Sequence, residues 1–406
     1  MTQLDHICLN IIDCEHKTAP TQESGIPSIR TTDIKRGVID FRGANKISEE
    51  TYRAWTQRLE PRAYDLILAR EAPVGEVGII PEGQRACLGQ RTVLIRPNPE
   101  KVFPYYLLYL MLSREIQHEM TTRAAGSTVE HLNMSDIREL NLPDLPALEI
   151  QSQIGNTLAN LDRKIENLRK QNETLEAIAQ TLFKHWFVDF DFPNVDGKPY
   201  KSSGGVMEPS ELGDIPAGWR VKPLDKVADF LNGLALQNYP VTDDKAFLPV
   251  IKIREMKAGI TANTDKASSD ISSKYIIDNG DVLFSWSGSL EIVVWCFGKG
   301  ALNQHLFKVS STGYPKWFYY FWTLEHLIHF QAIAKSKATT MGHIQRKHLS
   351  EALCSIPTES QLLIMDESIC PIFDKTIQNK LHIQTLTQTR DVLLPKLMSG
   401  QIRIMS

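Results

Sequence analysis

The segment Pro27–Gly37, with the sequence PSIRTTDIKRG, returns as PVIKIREMKAG at Pro249–Gly259. Shorter segments recur in the same order on either side of this pair, and the offset between the copies changes only slowly along the chain. A shared order of this kind predicts one long internal repeat. The further pairs are Leu4–Ile7 with Leu224–Val227, Tyr64–Leu68 with Gly280–Phe284, Leu88–Arg91 with Leu302–His305, Ser127–His131 with Thr339–His343, and Leu182–Lys184 with Leu393–Pro395.

Length and composition limit the class of protein. The chain has 406 residues, enough for two or three domains at about 100–200 residues per domain. Apolar residues make up 42% and charged residues 23%, which excludes a disordered, fibrous or disulfide-dense protein. No apolar run is long enough for a bilayer, and the first residues do not read as a secretory signal. The scattered cysteines form no C-x-x-C pair, which favours reduced thiols and a cytoplasmic location.

Each half of the repeat begins with a globular region, predicted at residues 1–146 and 215–357. Short runs rich in β-branched residues and bounded by Gly or Pro predict strands at Asp65–Ala69, Gly75–Ile80 and Thr92–Ile95. These strands alternate with loops and a few helices, so a mixed α/β domain is expected in each half. The Pro-, Gly- and Ser-rich residues 189–214 between the halves are predicted to be a linker or an extended return strand.

A long helix is predicted after each globular region, at residues 147–188 and 358–406. In the first helix, apolar residues alternate at steps of four and three, with Asn172 filling one gap, which indicates a heptad seam. The second seam is weaker because Thr376, Asn379 and Arg390 interrupt it. Pairing of the two helices is therefore expected, and the alternative is two surface helices that each pack on their own domain. The predicted pairing residues are Leu158, Leu161, Ile165, Leu168, Leu175, Leu182, Ile369, Ile372, Ile383, Leu386, Leu393 and Leu397.

Motifs for catalysis or cofactor binding are weak or missing. The sequence has no P-loop, no glycine-rich dinucleotide turn and no G-x-S-x-G. His6, Cys8, Cys14 and His16 lie close together in sequence, but their spacing matches no common zinc pattern. We therefore expect no metal site and no catalytic residue.

A second constellation resembles the acidic centre of a metal-dependent nuclease. It consists of Asp244 followed by Glu255-Met256-Lys257, and such a centre needs carboxylates for Mg²⁺ and a nearby lysine. The segment aligns with Asp33-Ile34-Lys35 in the other copy, where no equivalent upstream carboxylate is evident. A repeated structural turn is the better interpretation.

The case for DNA binding must be local, because the net charge is only −3. Polar residues recur at matching positions of the repeat, such as Arg91 with His305 and Gln90 with Gln304. An Arg fork can read guanine or phosphate, a Gln amide can pair with adenine, and hydroxyls can donate to phosphate. The alternative for each residue is solvated surface, or a helix cap for the hydroxyls. The candidate DNA-contact residues are Arg30, Arg70, Gln90, Arg91, Ser127, Thr128, His131, Lys252, Ser285, Gln304, His305, Thr339, Thr340 and His343.

Several segments together resemble one known family, the specificity (S) subunits of type I restriction–modification systems. The resemblance extends over essentially the whole chain, although the first half lacks the Pro-x-Gly-Trp entry of the second. The segments are Ile215-Pro216-Ala217-Gly218-Trp219, Leu182–Phe190, Arg390–Gly400 and Leu302–His305.

The resemblance implies an α+β fold, with two globular target-recognition domains joined by two long antiparallel helices and related by a pseudo-two-fold axis. It implies a non-catalytic subunit in which each domain reads one half of an asymmetric, bipartite target in double-stranded DNA. The helices would set the spacing and bind two modification (methyltransferase) subunits, and restriction (motor) subunits would join the full complex. S-adenosylmethionine, ATP and Mg²⁺ would belong to those partners, with no cofactor on this chain.

Two other classes of function stay open from the sequence. One is a stand-alone metal-dependent nuclease, and the other is a coiled-coil adaptor that binds proteins without DNA. The seam from Ile154 to Leu182 favours the DNA reader, because its length of about 42 Å at 1.5 Å per residue is comparable with one turn of duplex DNA, about 34–36 Å.

Overall fold

The computed structural model describes residues 2–124, 130–242, 246–336 and 342–404. The chain divides into two compact units, and each is described by itself. Unit 1 comprises Met1–Ile165 with Leu386–Ser406, and unit 2 comprises Glu166–Thr385. Each of the two long helices therefore contributes one segment to each unit.

Unit 1 is a mixed α/β structure. Its helices are α1 (Glu49–Trp55), α2 (Pro104–Met111), α3 (Arg114–Arg123), α4 (Met134–Arg138) and the first part of α5 (Leu148–Phe187). Its strands are β1 (Thr2–Gln3), β2 (Cys8–Asp13), β3 (Ile26–Ile29), β4 (Ile34–Lys35), β5 (Val38–Ile39), β6 (Asn45–Ile47), β7 (Leu66–Ala69), β8 (Val77–Ile79), β9 (Cys87–Leu88), β10 (Thr92–Pro97) and β11 (Asn141–Leu142). Strands β7, β8 and β10 confirm the three strands predicted from the sequence.

Unit 2 repeats this plan. Its helices are α6 (Leu224–Val227), α7 (Ile253–Ala258), α8 (Lys316–Glu325), α9 (Leu327–Ser336), α10 (Arg346–Glu351) and the first part of α11 (Glu359–Met398). Its strands are β12 (Met207–Ser210), β13 (Gly213–Pro216), β14 (Arg220–Pro223), β15 (Asp229–Asn232), β16 (Phe247–Ile251), β17 (Lys266–Ser268), β18 (Ile276–Ile277), β19 (Val282–Ser285), β20 (Ile292–Val294), β21 (Gly300–Leu302), β22 (Leu306–Ser310) and β23 (Leu353–Ile356).

Sheet topology confirms the internal repeat. The central antiparallel sheet has the order β2-β10-β7-β8 in unit 1 and β15-β22-β19-β20 in unit 2. Beside it, β3 runs parallel to β9, just as β16 runs parallel to β21. The pair β1–β11 corresponds to β14–β23, which joins the start of each globular region to its end. The same order and strand direction in both units extend the sequence repeat to three dimensions.

The two long helices run antiparallel inside each unit. In unit 1, Arg390 of α11 forms an ion pair of 2.6 Å with Asp162 of α5, and Leu397 shares a core with Ile154, so residue numbers rise on one helix as they fall on the other. In unit 2, Asn379 donates to Asn172 over 2.9 Å. These contacts confirm the predicted helix pairing over the alternative of two separate surface helices.

Burial differs among the predicted pairing residues. Leu158, Ile165, Leu168, Ile369 and Leu397 are buried. The remaining predicted residues are half-buried. They are Leu161, Leu175, Leu182, Ile372, Ile383, Leu386 and Leu393.

Large aromatic side chains fill the core of unit 2. Helix α8, with the sequence KWFYYFWTLE, packs Phe318 and Trp322 against Phe187 at the end of α5, with ring centroids 5.3 and 6.4 Å apart. The segment interpreted as a linker also contributes, because Phe192 is buried and stacks on Trp219 at 5.1 Å. The start of residues 189–214 is therefore held to the unit by apolar contacts.

Helix lengths have a simple consequence for membranes. Within the described ranges, no helix combines the length and the apolar character that a bilayer crossing requires.

Candidate nucleic-acid interface

In unit 1, several predicted residues meet where β7 ends and β10 begins. We define the unit 1 cluster as Asp13, Arg70, Glu71, Arg91 and His131. The backbone N–H of Arg70 donates to the carbonyl of Arg91 over 3.0 Å, and Glu71 forms a β-bridge with His131. Turns and strand ends from distant parts of the chain thus converge on one polar surface.

Ion pairs organise the unit 1 cluster. Nη1 of Arg70 donates to Oδ2 of Asp13 over 2.7 Å, and both side chains are largely buried. Nε of Arg91 lies 3.3 Å from Oε2 of Glu71. Arg91 has a φ of 67°, the left-handed region that non-glycine residues seldom adopt. Such strain persists only where surrounding contacts hold it, and here the hydrogen bond from Arg70 does so.

Unit 2 has a matching arrangement of different side chains. We define the unit 2 cluster as Asn232, Trp286, Ser287, His305 and His343. The backbone N–H of Trp286 donates to the carbonyl of His305 over 3.3 Å, and Ser287 forms a β-bridge with His343. Nε1 of Trp286 donates to Oδ1 of Asn232 over 2.9 Å, and Oγ of Ser287 lies 3.0 Å from Nδ1 of His305.

Strand register shows that the two clusters are equivalent position by position. Asp13 pairs with Val93, two residues after Arg91. In the same way Asn232 pairs with Phe307, two residues after His305. The two clusters therefore share one backbone frame. Four of the five side chains in the unit 1 cluster are carboxylates or guanidinium groups, whereas the unit 2 cluster has amide, indole, hydroxyl and imidazole groups.

A second strip of predicted residues lies beside each cluster. The N–H of Gly89 donates to the carbonyl of Ile29 over 2.8 Å, which brings Arg30 next to Gln90. A Cβ on residue 89 would lie 2.6 Å from that carbonyl oxygen, so glycine permits this approach. Hydrogen bonding to Asp33 raises the pKa of Arg30 and orients its guanidinium.

The same strip in unit 2 lines an open cleft. The N–H of Asn303 donates to the carbonyl of Ile251 over 3.3 Å, which brings Lys252 near Gln304. Gln90 is exposed, whereas Gln304 is half-buried and accepts a hydrogen bond of 2.9 Å from Asn303. Residues that line the cleft include Lys252, Arg254, Lys266, Gln304 and His305.

Ser285 is not at this surface. Its side chain is fully buried in β19, and its hydroxyl donates to the carbonyl of Ser289 over 2.6 Å and accepts from the N–H of Glu291 over 2.8 Å. Ser285 was predicted to contact DNA, but it therefore has no accessible side chain with which to do so. Ser127, Thr128, Thr339 and Thr340 lie outside the described residues.

Both halves of the repeat are similar to one known protein family. The family model for the type I restriction modification DNA specificity domain matches residues 14–177 and again 216–389. The chain belongs to this family. Its two matched segments correspond to the two halves of the repeat.

Related specificity subunits cover most of the chain. The type I restriction enzyme MjaIX specificity subunit of Methanocaldococcus jannaschii is 27% identical over 371 residues, with 89% of this chain and 83% of that protein covered. The HindI specificity subunit of Haemophilus influenzae is 25% identical over 373 residues, with 76% and 80% covered. The crystal structure of the type I S subunit from M. genitalium matches with a TM-score of 0.58 at 14% identity, covering 100% of this chain and 96% of that one, which supports the fold.

Glu255 and Lys257, which resemble part of a nuclease centre in sequence, make structural contacts in this chain. Glu255 is buried and accepts from the N–H of Lys252 over 3.2 Å, as Asp33 does from the N–H of Arg30 over 2.9 Å. Lys257 forms an ion pair of 2.8 Å with Glu291. The turn is thus a repeated capping element, and Asp244 lies outside the described residues.

The potential metal ligands are arranged differently from the sequence constellation. Ligand atoms of Asp13, Cys14 and His16 lie within 4.8 Å of one another in the described part of the chain. Asp13 already pairs with Arg70, and burial raises the pKa of the Cys14 thiol, which opposes the thiolate that a metal needs. These donors fit a metal ion poorly.

Sequence reasoning missed Asp13, Glu71, Asn232, Trp286 and Ser287. The pairs Glu71–Ser287 and Asp13–Asn232 differ in side chain between the copies, so similarity did not select them. The repeat could have indicated Glu71 and Ser287, because each lies shortly after an aligned strand.

Proposed function

We propose that this chain is the DNA sequence-recognition subunit of a type I restriction–modification complex and that each unit reads one half of a bipartite target. The observation that carries the proposal is the shared frame of the two clusters. A frame used twice with different side chains gives two modules with one docking geometry and different base preferences. The target is therefore asymmetric.

The chemistry of each surface fits groups of duplex DNA. The guanidinium of Arg91 offers donors to the O6 and N7 acceptors of guanine, and Gln90 has an exposed amide suited to an adenine edge. Arg30 and Lys252 flank these positions as cations for phosphate oxygens. Base contacts would supply specificity and the flanking cations affinity.

We further propose that the long helices set the spacing between half-sites and dock two methyltransferase subunits. Each helix is 40 residues long, or about 60 Å at 1.5 Å per residue. Their outer faces carry exposed apolar side chains, among them Ile178, Leu363 and Ile364. Such exposure suits a surface that a partner covers. Restriction subunits would complete the assembly.

No catalytic role is proposed for this chain. Methyl transfer and cleavage would reside in the partner subunits, which would bind S-adenosylmethionine, ATP and Mg²⁺. The net charge of −3 on this chain is compatible with DNA binding if the methyltransferase subunits contribute additional phosphate contacts.

Methylation mapping tests the proposal. The chain is expressed with its methyltransferase subunits in cells without other methylation, and genomic DNA is sequenced for modified bases. The proposal predicts one asymmetric motif with two specified halves and a fixed unspecified spacer. A continuous or palindromic motif would contradict it.

The nuclease and adaptor alternatives are each tested by a separate measurement. Cleavage of DNA by the purified chain with Mg²⁺ alone would support the nuclease alternative. Failure of the assembled complex to bind any duplex would support the adaptor alternative.

A further inference from the structure

Glu71 and Ser287 occupy the same place in the two units, and neither belongs to the residues expected to contact DNA. Each follows the central strand β7 or β19 by two residues and forms the β-bridge with His131 or His343. Each also contacts the side chain at the start of the neighbouring strand, Arg91 or His305. This relation is one of the features that the two clusters share.

In unit 1 the carboxylate lies inside and the guanidinium outside. Glu71 is 23% exposed, whereas Arg91 is 55% exposed. The contact joins Oε2 of Glu71 to the inner nitrogen Nε of Arg91, and the terminal nitrogens lie further along the side chain. The backbone of Arg91 is held by Arg70 and its guanidinium by Glu71, so the residue is anchored at both ends of its side chain. A donor fork fixed in this way loses little side-chain entropy on binding.

In unit 2 the positioning group is a buried hydroxyl. Ser287 is 4% exposed, and its Oγ lies 3.0 Å from Nδ1 of His305. The imidazole also packs near the ring of Trp286, with centroids 5.9 Å apart. Since Nδ1 is engaged by the hydroxyl, Nε2 is the nitrogen left to meet a base.

The two pairs differ in the bases that they suit. Arg91 is donor-only and can make two parallel hydrogen bonds, which matches guanine O6 and N7. His305 presents one nitrogen, which can satisfy a single base atom and discriminates less. Equivalent positions of the two half-sites would therefore be read with different stringency.

We propose that Glu71 and Ser287 are specificity-determining positioning residues, which orient Arg91 and His305 and thereby set one base preference in each half-site. The proposal rests on the proposed function, because it assigns how the two clusters divide the reading. Glu71 acts through Arg91, and Ser287 acts through His305.

The test uses Glu71→Gln and Ser287→Ala in the full chain assembled with methyltransferase subunits. Relative binding is measured for duplexes that carry each of the four bases at every position of the mapped motif. Glu71→Gln is expected to reduce discrimination about tenfold at one position of one half-site, because the guanidinium loses its anchor. Ser287→Ala is expected to relax one position of the other half-site, so each variant is a control for the other.

A double-mutant cycle tells positioning from direct contact. If Glu71 acts through Arg91, Glu71→Gln adds no further loss of discrimination to Arg91→Ala. Additive losses would show that Glu71 reads a base itself and would overturn the proposal. Glu49→Gln is the matched control, because Glu49 also pairs with an arginine on the surface of unit 1, and it is expected to leave every base preference unchanged.

Other outcomes are equally decisive. An even loss of affinity across all sequences, with Glu71→Gln folded, would mean a merely structural role and would overturn the proposal. An unchanged motif for both variants would do the same. These results differ from failure of the proposed function, in which the unmodified complex itself lacks a bipartite motif.

Discussion

Nδ2 of Asn379 donates a hydrogen bond of 2.9 Å to Oδ1 of Asn172, and both side chains are buried between the two long helices of unit 2. Nδ2 of Asn172 in turn donates to the backbone carbonyl of Thr376 over 3.2 Å. Asn172, the polar residue in the heptad seam of α5, thus faces Thr376 and Asn379, two polar residues in the seam of α11. Buried polar groups that satisfy each other favour one register of a helix pair.

Replacing one member of this pair is expected to destabilise unit 2. Asn172→Leu removes the closer of the two acceptors of the Asn379 amide and leaves only Gln171 at 3.5 Å, which costs about 1–3 kcal/mol. The double variant Asn172→Leu, Asn379→Leu should recover most of that loss, because both partners become apolar. Urea unfolding of the single and double variants measures the difference. If the losses of stability in the two single variants simply added in the double variant, the amides would not act as a pair.

The loss of stability on shortening side chains along α5 is expected to depend on how deeply each side chain is buried. Leu168 is 3% exposed, so Leu168→Ala should cost about 2–5 kcal/mol in free energy of unfolding. Leu161 is half-buried, so Leu161→Ala should cost less. Ile178 is 43% exposed, and Ile178→Ala should change stability by no more than about 0.5 kcal/mol in the isolated chain. A Leu168→Ala variant as stable as the parent would contradict the buried seam.

Unit 2 is expected to lose stability in mild acid through His326. Its Nε2 donates to the carbonyl of Leu353 over 3.0 Å, and burial lowers the pKa of its imidazole below the ordinary 6.5. The unfolded chain therefore binds this proton more readily, so the stabilisation is present above pH 6.5 and decreases as the pH falls below it. His326→Gln should flatten the dependence of the unfolding midpoint between pH 7 and pH 5. Parallel curves for parent and His326→Gln would rule out this contribution.

The nuclease-like segment is expected to matter for folding and not for chemistry. Glu255→Ala removes a buried cap and should cost about 1–3 kcal/mol. Lys257→Ala breaks a half-exposed ion pair and should change stability by about 0.5 kcal/mol or less. Assembled complexes of both variants should still methylate DNA, measured by incorporation of a labelled methyl group. Lost methylation by a folded, DNA-binding Lys257→Ala complex would point to a catalytic centre on this chain.

Patterns along the sequence predicted most of the architecture. The helix seams, the strands around Leu66–Ala69 and Thr92–Pro97, and the duplication all depend on local periodicity or on similarity between copies. The contact between Asn172 and Asn379 could not be predicted, because the register between two helices depends on tertiary packing. The same holds for Phe192, whose burial depends on Trp219.

The candidate site was predicted less completely. Arg91 with His305, and His131 with His343, were selected because similar residues recur, and the structure places each pair at equivalent positions. Glu71 and Ser287 share position but not chemistry, so residue similarity did not indicate them. Ser285 was selected without regard to strand geometry, which turns its side chain inward.

Exchange of one recognition domain tests the central claim, that the two units read separate halves of the target. Residues 215–357 are replaced by the matching domain of another specificity subunit whose motif is known, and both long helices stay unchanged. The complex with methyltransferase subunits is expressed, and methylated sites are mapped across the genome. Independent reading predicts that one half of the motif changes to that of the donor, while the other half and the spacer length stay the same. A motif in which both halves change together would contradict the account.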